Sequence, residues 1–267
     1  MDLQKLFGLD GRVALVTGGS RGIGLMIARG LLAAGCARVY LAARKQGELD
    51  EAVAALGDRA VGIAADVSTL AGIEALAQDI AAHEPLLDIL VNNAGAAWGA
   101  PFGSFPESGW DKVVDLNLKA PFFLTQALHG LLAAAASAER PAKVINIASI
   151  DGRKLNPWET YSYQASKAGL IQLTKRMAAR LIADRIVVSA IAPGAFPSAM
   201  NKAARDTGDA VAQAIPAGRV GTAEDMAAAA IYLASRAGDY VVGSTLTVDG
   251  GLVDAALPAD LGNPDGS

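Results

Sequence analysis

The residues whose types and spacing best suggest chemistry are Tyr163 and Lys167, four positions apart in the run Tyr161-Ser-Tyr-Gln-Ala-Ser-Lys. Four residues make about one helical turn, so the two side chains share one face of a helix. A neighbouring ammonium favours the phenolate and lowers the pKa of a phenol from its reference value of about 10. Such a phenol can give or take a proton near neutral pH, as carbonyl–alcohol interconversion requires.

The pair by itself does not establish an active site. Tyr-x-x-x-Lys also occurs in helices in which the tyrosine packs and the lysine reaches solvent. Tyr161 has Ala165 four residues further on, so only Tyr163 has a lysine in register. The rest of the sequence must decide between the two interpretations.

A second signal is the glycine-rich segment Thr17-Gly-Gly-Ser-Arg-Gly-Ile-Gly24, between a predicted strand and a predicted helix. Glycines let the backbone approach a pyrophosphate, and a helix N-terminus offers N–H groups and a favourable dipole. In isolation the segment is only a turn, but between strand and helix it indicates a dinucleotide site. It fits the pattern Thr-Gly-x-x-x-Gly-x-Gly, with the glycines of the pattern at 18, 22 and 24, a spacing unlike Gly-x-Gly-x-x-Gly.

Strand and helix patterns alternate along the chain, which is typical of a parallel sheet covered on both faces. The predicted strands are 12–17, 37–42, 60–65, 87–91, 142–148, 186–191 and 244–248. The main predicted helices follow the glycine-rich segment to 34 and cover 46–56, 69–83, 106–117, 121–136, 159–183 and 222–235. We therefore predict an α/β Rossmann fold with a doubly wound, parallel seven-stranded sheet. No linker interrupts the pattern, so 1–267 is predicted as one domain with a frayed tail at 258–267.

Composition excludes several classes of function. The net charge of -4 argues against a nucleic-acid or anionic-membrane surface. The uncharged stretch 120–138 is interrupted by polar residues and Pro121, so it does not predict a membrane span. Cys36 is the only cysteine, which excludes an internal disulfide and, with an N-terminus unlike a signal peptide, favours the cytoplasm. His83 and His129 are isolated, so no metal site is predicted.

Several motifs together resemble the short-chain dehydrogenase/reductase family in its short, single-domain branch. They are the glycine-rich segment, Asn92-Asn-Ala-Gly95, Asn117, Ser149, the Tyr163–Lys167 pair and Pro193-Gly194, in the order of the family. The resemblance spans most of the chain. It implies a Rossmann-type oxidoreductase that interconverts a ketone and a secondary alcohol by hydride transfer with a nicotinamide cofactor.

The resemblance also implies a catalytic group of four residues. Tyr163 is expected to be the general acid in reduction, and Lys167 to lower the pKa of Tyr163 and bind the nicotinamide ribose. Ser149 is expected to hydrogen-bond the substrate carbonyl, and Asn117 to hold a water in a proton relay. Donors at the carbonyl would stabilise the developing alkoxide. The alternatives are a strand-end cap for Ser149 and a helix-kink plug for Asn117.

The cofactor is predicted to be NADP(H). Ala43 stands where NAD-selective members of the family carry an acid, Arg44 follows it, and Arg21 lies in the glycine-rich segment. Two guanidiniums suit phosphate binding, although both could be solvated surface residues. By motif position Asp66 is expected to contact adenine, with a helix cap or a turn residue as the alternative. The complete predicted cofactor set is Gly18, Ser20, Arg21, Gly22, Ile23, Gly24, Arg44, Asp66, Val67, Asn93, Gly95, Tyr163, Lys167, Pro193, Gly194 and Phe196.

The substrate is predicted less sharply. The expected substrate contacts are Trp98, Ser149, Asp151, Trp158 and Met200, a mostly apolar set that favours a hydrophobic or acyl-type ketone. Asp151 leaves room for a hydroxylated or basic substrate. Local runs such as Trp98-Gly-Ala resemble 3-oxoacyl reductases of the type associated with rhamnolipid synthesis.

An acyl thioester on an acidic carrier would favour basic residues at the entrance. Candidates are Arg153, Lys154, Lys202 and Arg205, with ordinary surface charge as the alternative. The competing functions are a dehydrogenase or reductase of a steroid, polyol or xenobiotic carbonyl, and a catalytically silent NADP(H)-binding sensor. Pairing of the apolar helices 121–136 and 159–183 predicts a homotetramer.

Overall fold

The structure, a computed structural model, describes residues 1–198 and 201–256, without the side chains of residues 202 and 203. Two predicted features, the substrate contact Met200 and the tail 258–267, lie outside the described residues. No helix in the described ranges is long and apolar enough to cross a membrane.

The seven predicted strands all form. They are β1 (Val13–Thr17), β2 (Arg38–Ala43), β3 (Ala60–Ala64), β4 (Ile89–Asn92), β5 (Ala142–Ile147), β6 (Ile186–Pro193) and β7 (Thr245–Val248). They build one parallel sheet in the order β3-β2-β1-β4-β5-β6-β7. The strand order reverses between β1 and β4, where open parallel sheets bind ligands at the carboxyl ends of their strands. The predicted fold class is confirmed.

Eleven α-helices are assigned in the described residues. They are α1 (Leu3–Phe7), α2 (Gly22–Ala33), α3 (Gln46–Leu56), α4 (Leu70–His83), α5 (Glu107–Val114), α6 (Ala120–Ala127), α7 (His129–Ala135), α8 (Tyr161–Leu181), α9 (Lys202–Asp206), α10 (Gly208–Ala212) and α11 (Ala223–Ala234). A π-helical segment, Asp115–Lys119, joins α5 to α6. Short 3-10 turns lie at Phe102–Ser104, Ile150–Gly152, Ile182–Asp184 and Arg236–Gly238.

The alternation of side chains along each strand divides the core between the two faces of the sheet. In β1, Ala14 and Val16 belong to a cluster with apolar residues of α2, α3 and α11. Val13 and Leu15 belong to a second cluster with residues of α4, α6 and α8. Because both faces are covered, strands such as β5 and β6 are buried along their whole length.

The region 106–136 differs from the prediction of two separate helices. The chain stays helical through Asp115–Lys119, where the backbone N–H of Ala120 bonds to the carbonyl of Asp115 in a π-type turn. Pro121 lies in the first turn of α6, where its missing N–H costs nothing. The proline therefore follows a widened turn and does not mark a new helix. The later break falls between Ala127 and His129 instead.

Two helix starts also differ from prediction. The long helix α8 begins at Tyr161 and not at 159, because the carboxylate of Glu159 accepts hydrogen bonds from Phe102 N and the Tyr161 hydroxyl. The short α1 was not predicted. Asp2 caps it by accepting hydrogen bonds from two backbone N–H groups of its first turn.

Candidate active site

The four predicted catalytic residues reach one edge of the sheet from three elements. Ser149 follows β5, Tyr163 and Lys167 lie in the first two turns of α8, and Asn117 lies in the π-helical segment. The contacts below connect them to one another and to the loop after β4.

Lys167 is the most deeply buried titratable member of this group, with 5% of its surface exposed. Its Nζ donates to the carbonyl of Ile147 at 2.7 Å and lies 5.7 Å from the centre of the Tyr163 ring. Burial lowers the pKa of Lys167 to about 8. The predicted one-turn spacing therefore does place the lysine against the tyrosine.

The pKa of Tyr163 shifts opposite to the expected direction. Burial raises the pKa of its phenol to about 12; hydrogen bonding to Ser149 lowers it in part, and the negative charge of Asp151 raises it. Desolvation is the largest contribution, and the lowering of this pKa by Lys167 stays a prediction. Tyr163 is consequently protonated at neutral pH, which suits a proton donor.

Ser149 is buried and its hydroxyl oxygen accepts the backbone N–H of Asp151 at 3.1 Å. This bond caps the 3-10 turn Ile150–Gly152. The same hydroxyl forms a hydrogen bond with the phenol of Tyr163, and this bond lowers the pKa of the phenol in part. Ser149 thus fills the strand-end capping role and still has a hydroxyl proton for a substrate carbonyl.

Asn117 is buried and its amide is engaged by protein groups. Oδ1 accepts from Ala96 N at 2.8 Å, and Nδ2 donates to Ala96 O at 2.9 Å and to Ser166 Oγ at 3.1 Å. A Cβ on Gly95 would lie 3.2 Å from Asn117 Oδ1 and 3.8 Å from Lys167 Nζ. The amide therefore ties the loop after β4 to α8 beside Lys167. The water relay stays a prediction.

The glycine-rich turn has the geometry of an anion cradle. Gly18 and Gly22 have φ of 63° and 54°, which favour glycine, and a Cβ on Gly24 would lie 2.2 Å from the Gly18 carbonyl oxygen. Helix α2 begins at Gly22, and its N-cap residue Arg21 makes no side-chain capping bond. N–H groups at this helix start are available to an anion, so the turn fits a pyrophosphate.

Thr17 is a positioning residue that the sequence analysis missed. Its Oγ1 accepts the N–H groups of Asn93 and Ala94, both at 3.0 Å. Asn93 Nδ2 in turn donates to the carbonyls of Thr17 and Gly18, at 2.8 and 3.2 Å. These bonds fasten the glycine-rich turn to the loop after β4. The available signal was a hydroxyl residue ending a buried strand directly before the glycines.

The other predicted cofactor residues lie near the turn or support it. Ser20 and Val67 are buried, and Ile23 packs against the core. Asp66 Oδ1 accepts from Ser68 N and Oγ, so Asp66 has the turn role given as its alternative. Burial raises the pKa of Asp66, but Ser68 hydrogen bonds and the charge of exposed Arg44 outweigh this and leave that pKa below its usual value.

The end of β6 and the segment after it hold three of the predicted cofactor residues. Pro193 ends β6, and Gly194 N donates to Val248 O at 2.9 Å. The Phe196 side chain, predicted to contact the cofactor and the substrate pocket, is 2% exposed and belongs to the core. It fills the space that a Cβ on Gly221 would occupy. Since an aromatic residue is apolar in either location, its type could not distinguish a pocket wall from the core.

The predicted substrate residues differ from one another in their contacts and in their exposure to solvent. Trp98 lies against Gly109, where a Cβ would come within 2.7 Å of the indole, and Lys112 Nζ lies 5.3 Å from its ring centre. Trp158 is 67% exposed. Asp151 is half-buried, and burial raises the pKa of its carboxyl.

The candidate entrance residues whose side chains are described already have protein partners, and a basic entrance stays a prediction. Arg153 bonds to Thr247 and pairs with Asp254 at 3.4 Å, and Lys154 Nζ donates to the Leu252 carbonyl at 2.7 Å. Arg205 pairs with the adjacent Asp206. Arg153 and Lys154 therefore fasten the turn after Ser149 to the segment that follows β7.

The described residues contain no group of three histidine, cysteine, aspartate or glutamate side chains that could hold a metal ion. Cys36 is buried, and burial raises the pKa of its thiol to about 12. Cys36 therefore packs as a small core residue.

Comparison with known proteins is consistent with this geometry. A family model described as enoyl-(acyl carrier protein) reductase matches residues 18–253. A rhamnolipid-biosynthesis 3-oxoacyl-[acyl-carrier-protein] reductase from Pseudomonas aeruginosa is 47% identical over 255 residues, covering 93% of this chain and 99% of the relative. The chain belongs to the short-chain dehydrogenase/reductase family. The predicted family and oxidoreductase class are thus confirmed.

Other relatives of this short-chain dehydrogenase/reductase differ in their substrates. A 2-dehydro-3-deoxy-D-gluconate 5-dehydrogenase from Dickeya dadantii is 38% identical, covering 93% of this chain and 98% of the relative. Among solved structures, the NADP active-site complex of RhlG from Pseudomonas aeruginosa superposes with a TM-score of 0.87 at 47% identity, covering 93% of this chain and 98% of that one. The family fixes the reaction class and leaves the substrate open.

Proposed function

We propose that the chain is an NADP(H)-dependent oxidoreductase that interconverts a hydrophobic ketone, in particular a 3-oxoacyl thioester, and its secondary alcohol. The observation that carries this proposal is the placement of Tyr163, Lys167 and Ser149 at the sheet edge that also holds the glycine-rich turn. The similarity to a 3-oxoacyl reductase supports the substrate class. The intact catalytic group disfavours a catalytically silent sensor.

Three side chains divide the chemistry. The Tyr163 phenol, protonated because burial raises its pKa, delivers the proton to the carbonyl oxygen. The Ser149 hydroxyl donates to the same oxygen and stabilises its developing negative charge. Lys167 uses one donor on Ile147 O, which leaves two for the phenol side and the nicotinamide ribose. The nicotinamide supplies the hydride when bound.

NADP(H) is the cofactor that the charges around the end of β2 support. Arg44 is exposed directly after β2, where this fold presents the adenosine ribose. Arg21 is the N-cap residue of α2, and Lys45, next to Arg44, is the N-cap residue of α3 and adds a third cation. No acid stands at Ala43 to accept a free 2′-hydroxyl. The NADP complex of the related RhlG agrees with this cofactor.

Replacing Arg44 by alanine should weaken NADPH far more than NADH. One charge-assisted hydrogen bond to a phosphate is worth about 1.5–3 kcal/mol, so we expect the NADPH dissociation constant to rise about 10- to 100-fold. Fluorescence titration of wild type and variant with both cofactors measures this. Arg29→Ala, an exposed arginine two turns into α2, is the control and should change neither affinity. A wild type that prefers NADH would contradict the proposed cofactor.

A second substrate class has a specific observation in its favour. Asp151 is half-buried, its charge acts on Tyr163, and the Asn156 side chain hydrogen-bonds to it. Together they would suit a hydroxyl group on the substrate. This favours a polyol or sugar-acid dehydrogenase, and the gluconate 5-dehydrogenase relative is consistent with it.

A substrate panel distinguishes these two proposals. We expect NADPH oxidation to be faster with a 3-oxoacyl thioester than with a keto sugar acid at equal concentration. Asp151→Ala should lower reduction of a keto sugar acid far more than reduction of the thioester, because an acyl chain does not need a carboxylate. If Asp151→Ala abolishes reduction of a keto sugar acid that the wild type accepts, the second class is correct.

We also propose a homotetramer in the cytoplasm, built from single-domain chains. Phe122, on one of the two helices proposed to pair, is 41% exposed in one chain, and Trp110, on the preceding helix α5, is 42% exposed. Their burial between copies would be favourable. Light scattering should give four times the mass of one chain, and a monomeric mass would contradict the assembly.

A further inference from the structure

Glu48, in the first turn of α3, contacts two of the cations that surround the end of β2. Its Oε1 accepts from Arg21 Nη1 at 3.1 Å and from Lys45 Nζ at 2.8 Å. Mainly because of the hydrogen bond from Lys45, the pKa of Glu48 lies below its usual value. The side chain is therefore ionised at neutral pH, and one carboxylate oxygen bridges two cations from different elements.

The third cation has an acidic neighbour as well. The charge of Arg44 acts on Asp66, whose Oδ1 is already bonded to Ser68. Around the ribose position, three cations are thus balanced by two carboxylates. Glu48 differs from Asp66 because its direct partners are the cations that a phosphate on the 2′-oxygen would use.

We propose that Glu48 is a specificity-determining residue whose carboxylate competes with the 2′-phosphate of NADP(H) for Arg21 and Lys45. A phosphate dianion that reaches these cations must displace the carboxylate or lie beside it. The 2′-hydroxyl of NAD(H), by contrast, can donate to a carboxylate. Glu48 therefore reduces the ratio of the affinity for NADP(H) to the affinity for NAD(H). This inference rests on the proposed NADP(H) dependence.

In the opposite role, Glu48 would hold the two cations in place for the phosphate. This effect would strengthen phosphate binding only slightly. The Arg21 and Lys45 side chains are 60% and 69% exposed. Ion pairs between such groups contribute about 0–1 kcal/mol, so little ordering is gained. A carboxylate beside a phosphate dianion repels it and weakens phosphate binding. Removing the charge of Glu48 should therefore favour NADP(H).

The test is Glu48→Gln, which keeps the shape and removes the charge. Adenosine 2′,5′-bisphosphate and AMP serve as probes in calorimetry, and NADPH and NADH in fluorescence titration, so turnover is not needed. At low salt we expect both 2′-phosphorylated ligands to bind about fivefold more tightly, because one repulsive charge at contact distance is removed. AMP and NADH should bind unchanged or slightly more weakly. Added KCl should reduce the difference.

Glu51→Gln is the matched control, since Glu51 is exposed on the same helix and forms no ion pair with a described residue. It should leave all four affinities unchanged. If adenosine 2′,5′-bisphosphate binds Glu48→Gln unchanged or more weakly while wild type still binds NADPH, the proposed role of Glu48 is overturned. The NADP(H) proposal is then unaffected. A wild type that binds neither 2′-phosphorylated ligand overturns the NADP(H) proposal, and this inference with it.

Discussion

Tyr163→Phe should lose about 10²–10⁴-fold in kcat, which is the usual contribution of general acid catalysis. The ring remains to pack, and Lys167 keeps its bond to the Ile147 carbonyl. Cofactor affinity should therefore stay within about twofold of wild type, as small non-polar changes at a site of unaltered shape cost little. Steady-state kinetics with NADPH and fluorescence titration measure the two quantities separately.

Tyr161 provides the matched control for this prediction. It lies two residues earlier on the same helix, and its hydroxyl donates to Glu159 at 2.8 Å. Tyr161→Phe removes a hydroxyl of the same type from a phenol without a lysine in register, so kcat should be retained. Full activity in Tyr163→Phe, or equal losses in both variants, would show that Tyr163 does not donate the proton.

Lys167→Met should abolish turnover and yet raise the stability of the protein without cofactor. The drop in the pKa of Lys167 from 10.5 to about 8 corresponds to about 3 kcal/mol against the buried ammonium below pH 8. The lost hydrogen bond to Ile147 O offsets about 1–2 kcal/mol of this gain. Urea denaturation at pH 7 should show a net stabilisation of about 1–2 kcal/mol.

The dependence of stability on pH tests the cause. Between pH 8 and 10.5 the unfolded chain binds more protons at Lys167 than the folded one, so the wild-type free energy of unfolding rises with pH. Lys167→Met should show a clearly smaller rise, because Lys143, whose pKa burial also lowers, keeps its own contribution. Measurements should stop near pH 10, because the raised pKa of Tyr163 adds the opposite slope above that pH.

Lys175→Met, on the exposed face of the same helix, is the control and should keep both the pH-dependent rise and the activity. If Lys167→Met were less stable than wild type at pH 7, the buried ammonium would be stabilising the fold. The variant would then lose activity without the expected gain in stability.

The elements and the reaction class could be predicted because their signals are local. Strands such as Val13–Thr17 follow from short apolar runs between turns, and the glycine-rich turn follows directly from its spacing. One helical turn suffices to choose Tyr163 over Tyr161. The two missed helix details, at Pro121 and at Glu159, also involve backbone bonding that a residue pattern does not specify.

The sequence by itself determined the alternating parallel sheet, the position of the glycine-rich turn and the pairing of Tyr163 with Lys167, because these depend on residues a few positions apart. The tertiary structure alone decided the contact of Glu48 with Arg21 across 27 residues and the fastening of two loops by Thr17. It also decided the raised pKa of Tyr163, since burial depends on every element packed around the phenol.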